Sequence, residues 1–279
     1  MDRVLVVTDS TASLAEAMAA GEVAKHLSVI ALHISTAGHT YREGVDIAAE
    51  HVVELVSHGV TVTTSQPSAQ EYRELLEGAF AAGFTHVVSV HISQKLSGTV
   101  NVAQSVARDW PGQVQVIDSR TSALALGIAA VAGARAAARG GSAEDVATII
   151  TERAESSGAL FMVDSLDHLR RGGRLGAGAA AVGTVLGLKP LLTLTEGQIV
   201  VAAKVRSRNA ALAYMFDRAI VASDLPGVEF GVHYFGSEKL AQKLCLQIEQ
   251  TFGRPVHLAP VSAVLGAHVG PGLVALMYA

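Results

Sequence analysis

The first 157 residues repeat one pattern, in which a short run of aliphatic and β-branched residues is followed by a polar loop and usually by a helix-like stretch. The runs lie at 3–8, 26–34, 61–64, 85–92 and 113–117. Short strands that alternate with helices are typical of an open α/β sheet with parallel strands. In such sheets ligands bind beyond the carboxyl ends of the strands. The pattern therefore predicts both a fold for this region and the edge where a ligand would bind.

The pattern changes after Ser157-Gly158. Runs at 189–194 and 198–205 flank Glu196-Gly197 and predict a β-hairpin. Helical patterns and separated strands follow it, which indicates an α+β arrangement. The predicted fold class is thus α/β, with an open parallel-sheet domain at residues 1–157 and an α+β domain at 158–279.

Composition excludes several classes of protein. Half of the residues are hydrophobic, 16% are charged and only 5% are aromatic, as in a compact chain with an aliphatic core. Lysine and arginine total 21 against 25 acidic residues, without a basic run, so nucleic-acid binding is not expected. The single cysteine, Cys245, leaves no internal disulfide, and the eleven histidines lack the spacing of metal ligands. Neither a metal nor a cofactor is predicted.

Targeting signals are not evident in the sequence. The chain begins Met1-Asp2-Arg3 and enters a strand pattern directly, without the charged and apolar segments of a secretion signal. Its longest apolar run, 123–134, is about half of the ~20 residues that a membrane span needs. We therefore expect a cytoplasmic protein.

Four polar loops follow predicted strands: Asp9-Ser10-Thr11, Thr64-Ser65, Ser97-Gly98-Thr99 and Asp118-Ser119. Parallel strands would place all four loops on one edge of the sheet. The loop at Ser97 allows two interpretations. Backbone N–H groups and the Ser97 and Thr99 hydroxyls would converge on an anion if a helix begins there. Alternatively, these residues only cap that helix. Four such loops on one edge favour a binding site.

Two later motifs also suit an anion. Residues 170–174, RRGGR, place Arg170, Arg171 and Arg174 around a flexible turn, either as a solvated surface or as partners of a carboxylate or phosphate. Residues 266–272, GAHVGPG, surround His268 with three glycines and a proline. His268 either donates a hydrogen bond to an acid or phosphate, or caps a neighbour in a tight loop before the last strand.

Residues 176–181, GAGAAA, match the letters of a dinucleotide-binding fingerprint. That fingerprint must follow a buried strand, whereas the preceding residues here are charged and interrupted by glycine. The sequence also lacks a phosphate-binding loop that ends in Lys-Ser or Lys-Thr and a Gly-x-Ser-x-Gly elbow. Nucleotide binding is therefore not expected.

Six motifs in order give the chain a resemblance to the DegV family of bacterial fatty acid-binding proteins. They are residues 8–12 (TDSTA), 64–68 (TSQPS), 96–99 (LSGT), 116–119 (VIDS), 169–175 (LRRGGRL) and 266–272 (GAHVGPG). The resemblance implies two domains with one long-chain fatty acid in a buried apolar tunnel at or near their junction. It also implies that the protein is a substrate-presenting subunit without catalytic activity of its own. Such a subunit offers the bound acid to a separate ATP-dependent fatty acid kinase, and the kinase makes the acyl phosphate.

The same resemblance implies roles for individual residues. The carboxylate ligands would be Thr64, Ser65, Ser97, Gly98, Thr99 and His268, with His268 acting through water. Arg170 and Arg174 would contact the kinase or the phosphate. A peripheral membrane contact would serve lipid exchange. Residues around Ser93-Gln94 and Val100-Asn101 depart from the family pattern. The resemblance therefore does not indicate which fatty acid tail is preferred.

A buried tail would supply most of the affinity. At roughly 0.8 kcal/mol per CH₂ group, about sixteen methylenes contribute on the order of 13 kcal/mol before ordering costs. Two alternatives stay open at this point. The chain could be a phosphoryl- or acyl-transfer enzyme with its own site at Asp9, Ser97 and His268, or the polar loops could only build the fold.

Overall fold

The computed structural model describes residues 2–14, 16–175 and 188–279, so the glycine-rich stretch 176–181 lies outside the described residues. The described strands before residue 158 are β1 (Val4–Asp9), β2 (Leu27–Ile30), β3 (His33–Thr36), β4 (His39–Arg42), β5 (Thr63–Ser65), β6 (His86–His91) and β7 (Val114–Asp118). The described helices there are α1 (Glu22–Lys25), α2 (Ala49–Ser57), α3 (Ala69–Ala81), α4 (Thr99–Ala107), α5 (Ala123–Ala138) and α6 (Ala143–Glu155).

The predicted parallel sheet exists and has four strands in the order β2-β1-β6-β7. Val4, Val6 and Val7 of its inner strand β1 are almost fully buried, as expected for a strand covered on both faces. Helix α3 begins after Ser68, which forms a capping box with Glu71. The α/β prediction for this region is confirmed.

Two of the five predicted strands were wrong in detail. The run at 26–34 divides into β2 and β3, which belong to different sheets, and the run at 61–64 corresponds to β5 in an antiparallel sheet of order β4-β3-β5. The division follows from Ser10, because its Oγ accepts the Leu32 N–H at 3.0 Å where the ladder with β1 ends. Ala37 and Gly38 then take positive φ angles and close the hairpin between β3 and β4.

The repeating pattern predicts a helix after the loop Asp9-Ser10-Thr11, and this prediction was also wrong. The chain instead forms two 3₁₀ turns, at Ser10–Ala12 and Glu16–Ala19. Asp9 caps the first turn by accepting the Thr11 N–H at 3.1 Å, and Ser13 ends it in the left-handed conformation. A left-handed residue interrupts the regular backbone of an α-helix, so the described residues 10–14 do not form one.

The second half of the chain forms a six-stranded mixed sheet in the order β10-β9-β8-β13-β11-β12. The described elements are β8 (Gly158–Met162), α7 (Asp167–Arg171), β9 (Lys189–Thr195), β10 (Gln198–Val205), α8 (Arg208–Ala222), β11 (Phe230–Phe235), α9 (Glu238–Phe252), β12 (Val256–Pro260), α10 (Ala263–Val269) and β13 (Leu273–Tyr278). The predicted hairpin is β9–β10, and its turn at Glu196 and Gly197 has positive φ at both residues. The α+β prediction is confirmed, while the division into domains at 157/158 stays a prediction.

Helix α5 lies between the two larger sheets. Thirteen of its sixteen residues are buried, so it has almost no solvent-facing side. It packs against β1 on one side and β13 on the other. Leu124 at its start lies over Gly231 of β11, where a Cβ atom would come within 2.0 Å of the leucine side chain. The helix therefore joins both halves of the protein in a common core.

Candidate functional site

A cavity of about 50 Å³ lies where the two halves meet. Eight of its lining residues are aliphatic, among them Leu32, Ile92 and Ile199. The remaining lining residues are polar: Thr64, Ser65, Gln66, Ser97, Arg174 and His268. Five of the eight residues predicted as ligand or partner contacts thus line one cavity, although they are up to 204 positions apart in the chain. The cavity lining thus combines aliphatic side chains with polar ones.

Thr64 and His268 are in direct contact. Thr64 Oγ1 lies 2.7 Å from His268 Nε2, which joins β5 to α10. Burial, and to a smaller extent the nearby positive charge of Arg174, lower the pKa of His268 to about 4. The imidazole is therefore neutral at neutral pH and offers one hydrogen-bond donor and one acceptor.

His268 does not lie in the loop that the sequence predicts. It is on α10, whose N-cap Ser262 accepts the Leu265 N–H at 3.3 Å. Gly270 ends the helix with φ 77°, and a Cβ there would come within 2.4 Å of the His168 ring. The glycines of this motif therefore terminate a helix and allow close packing, which corrects the prediction of a tight loop.

The Ser97 loop connects β6 to α4. Ser97 Oγ lies 2.9 Å from Thr99 Oγ1, and the Ser97 N–H donates to Ser93 O at 3.1 Å. Gly98 is the N-cap of α4 and, being glycine, offers no side chain to cap the first amides. A Cβ at Gly98 would lie 3.3 Å from the Gln66 side chain, so this loop packs closely on the segment that carries Thr64. The two predicted hydroxyl loops are therefore neighbours.

The arginine-rich motif approaches the same cavity through Arg174. Its Nε donates to Leu96 O at 3.1 Å, and Nη1 donates to Gly172 O at 2.5 Å. Gly172 itself packs on His268, because a Cβ there would lie only 2.6 Å from the imidazole Nδ1. Arg170 does not line the cavity, and its guanidinium lies 3.7 Å from the Asp167 carboxylate.

Asp9 is not part of this cavity. Its side chain is fully buried, and Oδ2 accepts hydrogen bonds from the Ile92 N–H at 2.9 Å and from His91 Nδ1 at 3.1 Å. His91 Nε2 in turn contacts Ser89 Oγ at 2.8 Å, and both residues have no solvent exposure. Asp9 therefore does not line the cavity that Ser97 and His268 share.

The family model described as "uncharacterised protein, DegV family" matches residues 3–279. This chain belongs to the DegV family. A DegV domain-containing protein of Streptomyces coelicolor is 35% identical over 280 residues, which cover 98% of this chain and 97% of the relative. Another, from Clostridium acetobutylicum, is 30% identical and covers 91% and 90% of the two chains.

Solved DegV structures share the whole fold. A fatty acid binding DegV family protein from Thermus thermophilus has a TM-score of 0.89 at 30% identity, over 99% of both chains. DegV of Bacillus subtilis, described as a fatty acid binding protein, has a TM-score of 0.89 at 29% identity, over 100% of this chain and 99% of its own. A stearic acid-binding protein from Eubacterium ventriosum reaches 0.82 at 26% identity, over 100% and 98%.

Within the parts of this DegV chain that the structure describes, no group of three or more His, Cys, Asp or Glu side chains is placed to hold a metal ion. In the same parts, no helix has the length and apolar character needed to cross a membrane.

Sequence reasoning missed Gln66 and Glu43. Gln66 adjoins Thr64-Ser65 in the TSQPS motif and lines the cavity, so its position in that motif was the available signal. Glu43 lies in a polar stretch typical of an exposed turn, yet it is only 6% exposed. Nothing in the sequence around it indicates burial, because charged residues in such stretches are usually solvated.

Proposed function

We propose that this protein binds one long-chain fatty acid, with its carboxylate at the polar lining residues of the cavity and its tail along the aliphatic ones. One observation carries the proposal: Thr64, Ser97 and neutral His268 line the same cavity, whose other lining residues are mainly aliphatic. The fatty acid binding described for the relatives from T. thermophilus and B. subtilis supports the same ligand class.

The carboxylate is proposed to accept hydrogen bonds from the hydroxyls of Thr64 and Ser97 and from the backbone at Gly98. A buried carboxylate needs such donors, because leaving it unpaired in an apolar interior is strongly unfavourable. Ser65 at the exposed rim and Thr99 beside Ser97 complete the head-group region, and His268 contributes directly or through a water molecule.

The tail is proposed to occupy a tunnel at the junction of the two halves. Pockets for ligands of this size usually measure about 300–1,000 Å³, so the 50 Å³ cavity holds a head group but not a tail. We expect lining side chains such as Leu32, Leu169 and Ile199 to separate as the tail enters. Roughly 0.8 kcal/mol per buried CH₂ group then favours the complex.

The chain is proposed to present the acid to a separate ATP-dependent kinase and to have no catalytic activity alone. Arg174 lines the cavity and would stabilise the charge of the transferred phosphoryl group, because guanidinium groups pair well with phosphate. Arg170, on the adjacent α7, would contact the kinase. The proposal places the protein in the cytoplasm, with a peripheral membrane contact for lipid exchange.

Native mass spectrometry tests ligand binding. The purified protein, or the delipidated protein after palmitate is added, should gain the mass of one fatty acid. A protein that carries no fatty acid and takes up none would refute the proposal. ATP and palmitate should give no acyl phosphate with this chain alone, and product should form only when a fatty acid kinase is added.

A further inference from the structure

Glu43 is a buried carboxyl group that does not line the cavity. Glu43 follows β4 and is only 6% exposed, yet it faces residues 262–264 at the start of α10. Its Oε1 accepts from Ser262 Oγ at 2.7 Å and from the Val264 N–H at 2.9 Å, and its Oε2 accepts from Ser10 Oγ at 2.5 Å. Three donors from two distant parts of the chain thus meet on one carboxyl group.

The other hydrogen bonds of Ser10 and Ser262 determine that both hydroxyl groups donate to Glu43. Ser10 Oγ already accepts the Leu32 N–H at 3.0 Å, and Ser262 Oγ already accepts the Leu265 N–H at 3.3 Å. Each hydroxyl therefore keeps its proton to donate towards Glu43. Only a group that accepts at both oxygens satisfies this arrangement, and a carboxylate does so while a carboxamide does not.

The helix that Glu43 holds carries part of the cavity. Val264, Leu265 and His268 on α10 are all lining residues. The start of the helix is fixed by Glu43 and by Ser13, whose Oγ accepts the Ser262 N–H at 2.9 Å. Its far end is fixed by the contact of His268 with Thr64. A shift at the start of such a short rigid element would move the imidazole at its other end.

We propose that Glu43 is a positioning residue, which places α10 so that His268 meets Thr64 at the head-group end of the cavity. The part of this inference that concerns fatty acid affinity rests on the proposed function. Glu43 does not line the cavity and acts only through the helix. The Asp9-Ser10 motif shares this role, because Ser10 supplies the third donor.

Several opposing effects act on the pKa of the Glu43 carboxyl group, and the net shift is upward. Burial raises the pKa of the Glu43 carboxyl group, while the hydrogen bonds from Ser10, Ser262 and Val264 oppose this, and the neighbouring negative charge of Asp9 raises it. Replacement by glutamine keeps the volume of the side chain but points an amide N–H₂ group at a hydroxyl that is already a donor. The substitution Glu43→Gln thus disrupts the hydrogen bonds with little change in packing.

The test compares Glu43→Gln with Glu229→Gln as the matched control. Glu229 is a partly buried carboxylate that pairs with Arg135, Arg153 and His257 and does not line the cavity. We expect Glu43→Gln to raise the pKa of His268 from about 4 towards its ordinary value, measured by NMR titration, because the imidazole gains solvent. The Kd for palmitate should rise about tenfold, since one hydrogen bond at the site is misplaced.

In Glu229→Gln, both the pKa of His268 and the Kd for palmitate should match the wild-type values. The inference is overturned if Glu43→Gln lowers only the unfolding temperature and leaves the His268 titration and the Kd unchanged. If even the wild type binds no palmitate, the proposed function fails, and the His268 titration still decides the role of Glu43. Should Glu43→Gln not fold, Ser262→Ala removes one donor and is expected to change the His268 titration in the same direction.

Discussion

Replacing Thr64 with valine removes one hydroxyl group and keeps the shape of the side chain. If Thr64 Oγ1 donates to a bound carboxylate, the substitution removes one hydrogen bond to a charged group, which is worth about 1.5–3 kcal/mol. At about 1.4 kcal/mol per factor of ten, the Kd for palmitate should rise about tenfold to a hundredfold. Binding is weakened rather than abolished, because the variant leaves burial of the tail unchanged.

The assay is calorimetric titration with palmitate and, separately, with its methyl ester. The ester has the same tail but no charge, so Thr64→Val should cost much less affinity for the ester than for the acid. Thr63→Val is the matched control, since it makes the same change one residue earlier on β5, where the hydroxyl instead contacts Ser35 O. Equal losses for acid and ester, or no loss for either, would show that Thr64 does not recognise the carboxylate.

Two further predictions concern packing and pH. Gly172→Ala places a methyl group within 2.6 Å of His268 Nδ1 and should lower both stability, by about 1–3 kcal/mol, and palmitate affinity. Gly78→Ala, in open space on α3, should leave binding unchanged and slightly stabilise the fold in thermal unfolding. The neighbouring His257 and the hydrogen bond from Arg135 lower the pKa of Glu229, so its contribution to stability is present above pH 4.5 and is lost as the pH falls through its lowered pKa. Acid unfolding should therefore be less steep in Glu229→Gln, and an unchanged acid limb would contradict this.

The sequence predicts those elements whose signals are local. Ser68 and Ser142 cap their helices through capping boxes, and Glu196-Gly197 turns the hairpin, because neighbouring residues determine these structures. The break after Ile30 was not predictable, since it depends on Ser10, twenty-two positions from Leu32. The hairpin at Ala37-Gly38 was missed because alanine rarely adopts a positive φ angle.

The same difference between local and long-range determinants applies to the candidate site. Thr64, Ser97 and His268 were selected as chemically suitable residues, and the structure brings them to one cavity. The reason first given for Thr64 was wrong, because β5 is not part of the parallel sheet. Glu43 was not selected, because its burial depends on contacts with residues more than 200 positions away. Side-chain chemistry is readable from the sequence, whereas such long-range burial is not.

Helix α5 also has a consequence for unfolding. Its buried surface is shared by the two larger sheets, with Leu124 against Gly231 on one side and Gly127 packed on Ala12 O on the other. Neither sheet could lose its structure without exposing this alanine-rich helix to water. The two halves should therefore melt together in one calorimetric transition, and the amides of α5 should be among the slowest to exchange with deuterium. Lipid entry would then depend on local displacements of loops and side chains rather than on a hinge between the halves.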